Sequence, residues 1–345
     1  MIFEEGTFLI QDFLANRDKS INKTGFIIGT TSHYSHDSDF YLTPTRQSKV
    51  ISLMGVIVKN VETAKKFAHY LDDHVDYIFV DCEKKIETIN YGANDVGNIE
   101  KAVYSVIKKA KMVPFKGNDL TFQSADSLLR ILAPNFTGGK VAIIGSGNLS
   151  MKIGLSLLER GNSVTIYSRN LLRAQKIAEV LNAIKFRTVQ SSCTATNEIR
   201  DAFLDSAIAV VATHHKNLIG EDLINLMNHN GLEFGSILVD VGKGGFTQEV
   251  IQKWNIHRID IEDEITNEIE KLLVKFNSMK LRSKRMLLQG KYLVKKGIVG
   301  SVGDIIVDDP DNPRRIIGVC DGNGNLNQIN SSETFELLAK ISSHK

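Results

Sequence analysis

The sequence contains few cysteines and few prolines. Its three cysteines, Cys82, Cys193 and Cys320, lie far apart and form no CxxC pair. This spacing excludes a zinc ribbon and a thioredoxin-type motif, and it favours reduced, buried thiols. Five prolines in 345 residues exclude a proline-rich or collagen-like chain.

The sequence also has almost no net charge and no long apolar run. Lysine and arginine number 42 and aspartate and glutamate 40, which gives a formal net charge of +2. A dedicated nucleic-acid-binding protein would carry a strongly basic domain instead. The sequence contains no stretch of about 18 uncharged apolar residues, so we expect no membrane-spanning helix. The amino-terminal segment has no signal-peptide pattern. We therefore expect a soluble cytoplasmic protein that binds neither nucleic acid nor membrane.

Alternating strand and helix patterns predict an α/β fold. Between residues 24 and 115, apolar runs alternate with segments of helical periodicity. The alternation is more regular over 140–262, where short and fully apolar runs are typical of buried parallel strands. Over 281–327, strand-like runs are separated by the turn-rich segments DDPDNP and DGNGN, which predict hairpins.

These patterns predict two α/β domains, the second a Rossmann-type doubly wound parallel sheet, with a β-hairpin-rich C-terminal extension. The predicted parts are an N-terminal α/β substrate domain at 1–120, a linking helix at 121–137, a dinucleotide-binding domain at 138–262, and a C-terminal helix and β-rich extension at 263–345. A ligand is expected in the cleft between the two domains.

A glycine-rich turn carries the clearest functional signal. In VAIIGSGNLSMKIG, Gly145 and Gly147 stand between a predicted strand and a predicted helix, and the third small residue of the pattern is Ser150. In this context the turn lets a pyrophosphate approach the backbone at a helix N-terminus; alternatively, the turn serves packing alone. The residues predicted to bind the dinucleotide here are Gly145, Ser146, Gly147, Asn148 and Leu149.

The end of the next strand predicts NADP as the cofactor. NAD sites usually carry Asp or Glu about 20 residues after the turn, to bind the ribose 2′-hydroxyl. This sequence has Ser168, Arg169 and Asn170 there, with Arg173 one helical turn later. A hydroxyl and a guanidinium suit a 2′-phosphate. These four residues are therefore predicted to bind NADP; NAD is the alternative cofactor, and a solvated helix start is the alternative role of the arginines.

Two later strand ends are also predicted to contact the cofactor. Thr213 precedes the pair His214 and His215, and Gly242 lies in the segment DVGKGG. Residues at these strand ends lie over the crevice of a doubly wound sheet, although the glycines could simply form a flexible loop. Adjacent residues on an extended chain point apart, so the histidine pair predicts no metal site.

The layout resembles the shikimate/quinate dehydrogenase family. In architecture it is also similar to the methylene-tetrahydrofolate and methylene-tetrahydromethanopterin dehydrogenases. The resemblance covers about residues 120–262 and rests on GSGNLS at 145–150, SRN at 168–170, Ala212-Thr213, and Asp240-Val241 with Thr247. The family's Asn-Val-Thr-x-Pro-His-Lys motif is matched only by Asn60-Val61.

The resemblance implies a Lys–Asp pair for proton transfer and a Ser-x-Ser segment for the substrate carboxylate. Asp119, before the linking helix, is the candidate carboxylate, and Asp126 further in is the alternative match to the family's Asn-Thr-Asp. Lys116 or Lys59 is the candidate amine. Their alternative roles are a helix cap and solvated surface charges. Ser32 and Ser35 are the candidate substrate-binding residues, unless they belong to an ordinary polar loop.

The sequence thus predicts an NADP-dependent oxidoreductase that transfers hydride to or from a small polar substrate held between two domains. A homodimer is compatible with this prediction. The alternative is a non-redox Rossmann-fold protein, either a nucleotide-sensing binder or a transferase that uses an adenosyl ligand. Arg169 distinguishes the two, because an adenosyl ligand without a 2′-phosphate gives this side chain no role.

Overall fold

The chain forms two compact units, Met1–Glu270 and Lys271–Lys345. The computed structural model describes residues 3–18, 20–21, 23–31, 38–85, 98–230, 232, 235–242, 244–282, 285–288, 292–295, 301–309 and 312–343. No helix in these ranges is long and apolar enough to cross a membrane. All three cysteines are free thiols, and burial raises the pKa of Cys193 to about 12.

The first sheet of the larger unit has five strands in the order β2-β3-β1-β4-β5. They are β1 (Thr24–Thr30), β2 (Phe40–Gln47), β3 (Ser52–Val58), β4 (Tyr77–Asp81) and β5 (Lys111–Phe115). Only β2 is antiparallel to its neighbour. The associated helices are α1 (Phe3–Asn16), α2 (Val61–Leu71) and α3 (Ile99–Tyr104). Phe26, Phe67 and Ile78 are fully buried in the core that the helices cover.

The second sheet has six parallel strands in the order β11-β10-β9-β6-β7-β8. Helix α4 (Gly117–Leu132) leads into it. Its strands are β6 (Lys140–Ile144), β7 (Ser163–Tyr167), β8 (Cys193–Thr196), β9 (Ile208–Val211), β10 (Ile237–Asp240) and β11 (Ile256–His257). Its helices are α5 (Asn148–Glu159), α6 (Leu171–Ile184), α7 (Ile199–Phe203), α8 (Glu221–Ile224) and α9 (Gln248–Lys253). Helix α10 (Glu264–Arg282) begins in the larger unit and continues into the smaller one. The strand order reverses between β6 and β9, and ligands bind at such a switch point in doubly wound sheets.

The smaller unit has a mostly antiparallel five-stranded sheet. Its strands are β12 (Arg285–Leu288), β13 (Tyr292–Lys295), β14 (Ile305–Val307), β15 (Ile316–Cys320) and β16 (Leu326–Asn327). Only the β13–β14 pair is parallel. Helix α11 (Ser331–Ser342), which the sequence analysis did not predict, follows the sheet.

The fold class predicted from the sequence is confirmed. Two α/β sheets are present, the second with doubly wound parallel topology, and a β-rich extension follows them. The boundaries of the domains at 120, 137 and 262 stay a prediction. Strand β2 was not predicted, because its polar sequence includes Pro44, a residue tolerated on the edge of a sheet. Helix α4 begins at Gly117 and not at residue 121.

The Asp72 carboxylate stabilises the turn that precedes β5. Asp119 follows β5 in the chain, four residues after the strand ends. The Asp72 carboxylate accepts backbone N–H groups from Lys108 at 2.8 Å and from Lys109 and Ala110 at 2.9 Å each. Burial alone would raise the pKa of Asp72, but these hydrogen bonds outweigh burial and hold the pKa below its ordinary value. The charged carboxylate therefore stabilises this turn at neutral pH.

Replacing Asp72 by Ala should lower the free energy of unfolding by roughly 1.5–3 kcal/mol, since hydrogen bonds to a charged acceptor are lost. Because the native pKa is depressed, the stabilisation is complete above the ordinary value of 3.8 and is lost as the pH falls through the native pKa. Urea denaturation at pH 7 and at acid pH measures this difference. The control is Asp73→Ala, which breaks an exposed ion pair with Lys109; an equal loss in both variants would contradict the role of Asp72.

Candidate active site

The glycine-rich turn joins β6 to α5 at the switch point of the second sheet. Gly145 has a φ of 127°, and a Cβ atom built there would lie 2.6 Å from the carbonyl oxygen of Ala212. Gly147 is the N-cap residue of α5, no side chain caps this helix end, and a Cβ at Gly147 would meet no atom within 4 Å. The space beside Gly147 is therefore open to a phosphate that could accept hydrogen bonds from the helix N-terminus.

A cavity of about 360 Å³ lies beside this turn. Five of the predicted cofactor-binding residues line it: Gly145, Ser146, Ser168, Arg169 and Thr213. The hydroxyls of Ser146 and Ser168 are 2.9 Å apart and share a hydrogen bond. Lys216 also lines the cavity, and among the described residues no carboxylate does. The lining therefore favours an anionic ligand.

The other predicted residues of α5 and α6 lie outside the cavity lining. The Asn170 side chain caps α6, because its Oδ1 accepts the N–H of Arg173 at 3.0 Å. The Arg173 side chain is exposed in the first turn of that helix. Asn148 is exposed at the start of α5, and Leu149 packs partly against the core. The predicted cofactor contacts of these four residues stay predictions.

Gly242 allows two strand ends to approach each other. A Cβ atom at this position would overlap the carbonyl oxygen of Thr213, which follows β9. The close approach that this glycine permits is thus to the backbone of a neighbouring segment. Gly242 is not in the cavity lining, and its predicted contact with the cofactor stays a prediction.

A buried carboxylate organises the carboxyl edge of the first sheet. Asp81 ends β4 and is 1% exposed. Its Oδ2 lies 2.7 Å from Nζ of Lys85 and accepts the Thr30 hydroxyl at 3.4 Å. Its Oδ1 accepts the N–H groups of Glu83 at 3.0 Å and Gly117 at 3.2 Å. Asp81 therefore connects β1 and the loop after β4 to the start of α4.

Glu83 forms a second ion pair with Lys85. Its Oε2 lies 2.7 Å from Nζ of Lys85 and accepts the N–H of Asn118 at 2.9 Å. Burial would raise the pKa of Glu83, but the hydrogen bonds from Lys85 and Asn118 outweigh burial, and nearby Lys152 adds to their effect. The pKa of Glu83 is therefore lowered, and the carboxylate stays charged.

Asp119 forms ion pairs with two lysines. Its Oδ2 lies 3.1 Å from Nζ of Lys116, and its Oδ1 contacts Nζ of Lys152 on α5. Burial would raise the pKa of Asp119, but the hydrogen bonds from Lys152 and Lys116 outweigh burial and lower the pKa. Asp119 lies in the first turn of α4, and the N-cap residue is Lys116, so Asp119 is not a helix cap.

Six charged side chains therefore form one group at the edge of the first sheet, which we call the ion-pair cluster. Its members are Asp81, Glu83, Lys85, Lys116, Asp119 and Lys152. Lys152 belongs to the helix that the glycine-rich turn begins. The cluster thus joins the two predicted parts of the site, the proton-transfer residues and the dinucleotide-binding turn.

The remaining predicted residues lie elsewhere. Lys59 is exposed after β3, and its N–H donates to the carbonyl oxygen of Asp39 at 2.8 Å. Ser32 and Ser35 lie outside the described residues. Within the part of the chain that the structure describes, no three His, Cys, Asp or Glu side chains are placed to hold a metal ion.

Sequence reasoning missed Asp81, Lys85 and Lys152. Lys85 gave no usable signal, because of the family's Asn-Val-Thr-x-Pro-His-Lys motif only a valine, Val80, stands at the corresponding distance before it, and the other specified residues are absent. Lys152 gave no local signal, because its partner Asp119 is 33 positions away.

Residues 127–263 match the family model of shikimate/quinate 5-dehydrogenases. This match confirms the predicted resemblance over the second sheet and the last six residues of α4. It supports an NAD(P)-dependent oxidoreductase, while Lys85 and Asp119 lie before the matched segment. No curated protein matches the chain.

Solved structures similar to this chain include transferases and oxidoreductases. Ornithine carbamoyltransferase from Pyrococcus furiosus is 11% identical, with 75% of this chain and 86% of that chain covered and a TM-score of 0.42. L-tryptophan dehydrogenase from Nostoc punctiforme is 10% identical, with 74% and 76% covered and a TM-score of 0.41. Glutamyl-tRNA reductase from Methanopyrus kandleri is 18% identical, with 46% and 39% covered and a TM-score of 0.35. These likenesses do not distinguish one activity from another.

Proposed function

We propose that the chain is an NADP-dependent oxidoreductase that transfers hydride to or from a small polar substrate. The observation that carries the proposal is the cavity beside the glycine-rich turn. Ser168 and Arg169 line it at the end of β7, and among the described residues no carboxylate lines it. NAD sites place a carboxylate at this strand end, whereas a guanidinium and a hydroxyl bind a 2′-phosphate.

The residues present fit this cofactor. The uncapped N-terminus of α5 and the open space at Gly147 would hold the pyrophosphate. Ser168 and Arg169 would hold the 2′-phosphate, and Thr213 would contact the dinucleotide from the next strand end. When bound, NADP supplies or accepts the hydride. Asn148, Leu149, Asn170 and Arg173 complete the proposed surroundings of the cofactor.

The ion-pair cluster is the proposed source of the proton. Reduction of a carbonyl adds hydride to carbon and a proton to oxygen, so a lysine ammonium near the oxygen can donate that proton and become a neutral amine. The candidate amines in the cluster are Lys85 and Lys116. Asp119 is the candidate carboxylate, and its negative charge pairs with the ammonium of Lys116. Lys59, Ser32 and Ser35 stay candidates for substrate contacts. The cytoplasmic location and the homodimer also stay predictions.

Arg169→Ala should weaken NADPH binding by at least tenfold and leave NADH binding nearly unchanged. The variant loses a charge-assisted phosphate contact, which contributes roughly 1.5–3 kcal/mol, whereas NADH has no 2′-phosphate to lose. Titration of the full chain by nucleotide fluorescence, with both cofactors, measures the effect. Equal losses for the two cofactors would show that Arg169 does not recognise the 2′-phosphate.

Gly147→Ala is the matched control for this titration. The added methyl group meets no protein atom within 4 Å, so the melting temperature should change little. It would occupy the space proposed for the pyrophosphate, which NADPH and NADH share, so both should bind more weakly. If the unaltered chain binds neither cofactor, the oxidoreductase proposal fails and the adenosyl-ligand alternative gains support.

A further inference from the structure

Lys152 is the member of the ion-pair cluster that belongs to the helix proposed to bind the cofactor. Gly147 is the N-cap residue of α5, and Lys152 follows it by five positions. A helix rises about 1.5 Å per residue, so the Lys152 backbone lies within about 8 Å of the helix end proposed for the pyrophosphate. Its Nζ contacts Oδ1 of Asp119, in the first turn of α4. One side chain therefore links the cofactor helix to the helix that carries the candidate carboxylate.

Helices α4 and α5 are also held together by contacts that do not involve Lys152. The Ser156 hydroxyl, one turn further along α5, donates to Oδ1 of Asp126 on α4. The two helices also share one apolar core, to which α4 contributes Leu128 and Leu129 and α5 contributes Ile153 and Leu157. Packing of the two helices therefore has its own support, and the contact between Lys152 and Asp119 adds charge to it.

Lys152 is the more buried of the two lysines that pair with Asp119. Its side chain is 27% exposed, whereas that of Lys116 is 55% exposed, so water screens its charge less. Burial would raise the pKa of Asp119, and the hydrogen bond from Lys152, followed by that from Lys116, lowers it. The other titratable groups of the cluster and beside it are Asp81, Cys82, Glu83 and Lys85.

We propose that Lys152 is a positioning residue, which holds the Asp119 carboxylate in place from the cofactor helix. The inference rests on the proposed function and names the residue that ties the cofactor site to the proton-transfer residues. Lys152 acts through Asp119, and its ammonium needs no contact with the substrate. Without this charge, Asp119 keeps only the exposed ion pair with Lys116, and an exposed pair holds a side chain weakly.

The test compares Lys152→Met, which keeps the length of the side chain and removes its charge, with Lys152→Arg, which keeps the charge. Carbon NMR of the aspartate carboxyl groups in the full-length chain follows the titration of Asp119, whose signal is identified by its loss in Asp119→Asn. We expect Lys152→Met to raise the pKa of Asp119 toward its ordinary value of 3.8. Lys152→Arg should leave this pKa low.

Turnover of NADPH is then measured across pH with the carbonyl compounds that the unaltered chain reduces. Because Asp119 acts as a charged carboxylate, activity is lost as the pH falls through its pKa, so the acid limb of Lys152→Met should lie at higher pH. Its turnover at neutral pH should fall by about tenfold, with KM for NADPH within about twofold. Lys152→Arg should restore both properties, and a side chain needed only for helix packing would not move the acid limb.

Ser156→Ala is the matched control, because it removes the other polar contact between α4 and α5 and should change neither the pKa of Asp119 nor turnover. The inference is overturned if Lys152→Met leaves both unchanged, or if Ser156→Ala lowers turnover equally. If the unaltered chain binds no NADPH, the proposed function fails and the inference fails with it. The NMR titration needs no cofactor, so the two failures are distinguishable. Melting curves verify folding, and Lys152→Gln replaces Lys152→Met if the latter is unfolded.

Discussion

Replacing Asp119 by Asn should lower the turnover rate by roughly 10²–10⁴-fold while leaving NADPH binding intact. The substitution keeps the shape of the side chain and removes the charge that pairs with Lys116 and Lys152. The pKa of Asp119 is lowered, by hydrogen bonds that outweigh its burial, so the carboxylate stays ionised at neutral pH. Its proposed role is therefore to hold the lysines in place, and it does not itself donate the proton.

Oxidation of NADPH is followed with a panel of small carbonyl compounds that carry hydroxyl and carboxylate groups, and the variant is assayed on each compound that the unaltered chain reduces. The control is Asp126→Asn on the same helix, where the carboxylate pairs with Arg130. That variant should turn over normally. Unchanged turnover in Asp119→Asn would remove Asp119 from the mechanism.

Replacing Lys85 by Met should also lower turnover by roughly 10²–10⁴-fold, and Lys85→Arg should not restore it. Arginine keeps the ion pairs with Asp81 and Glu83 but is not deprotonated in proteins, so it cannot carry the proton. The side chain of Lys85 is 12% exposed, whereas that of Lys116 is 55% exposed. Water therefore competes less for the Lys85 ammonium, which makes it the better candidate amine.

Lys116→Met provides the comparison, because Lys116 is the amine that was predicted from the sequence alone. We expect this variant to lose less than about tenfold in turnover, as an exposed ion pair contributes little. The same assay is used, and melting curves show that the Lys85 variants are folded. Turnover of Lys85→Arg within tenfold of the unaltered chain would mean that Lys85 supplies charge and not a proton.

The second sheet could be predicted from the sequence because its signals are local. Val141–Ile144 is an apolar run followed at once by Gly145 and Gly147, so strand, turn and helix start are adjacent in the chain. Ser168 and Arg169 were found in the same way, at the end of the next apolar run. Each of these signals spans only a few residues, and tertiary structure does not override it.

The ion-pair cluster could not be predicted in this way because its contacts are long-range. Asp81 accepts the N–H of Gly117, 36 positions away, and the hydroxyl of Thr30, 51 positions away. Such contacts follow from the order of strands in the first sheet, which places β1 beside β4 and β4 beside β5. Periodicity in the sequence does not specify that order, so the sequence analysis proposed Lys59 as an amine and overlooked Lys85.

A crystal structure of the chain with NADP tests the central claim most directly. The account predicts the pyrophosphate at the N-terminus of α5 beside Gly147 and the 2′-phosphate within hydrogen-bond distance of Ser168 and Arg169. It also predicts that the nicotinamide faces the side of the crevice where the ion-pair cluster lies. A dinucleotide bound elsewhere, or one whose 2′-phosphate points away from Arg169 into solvent, would contradict the account.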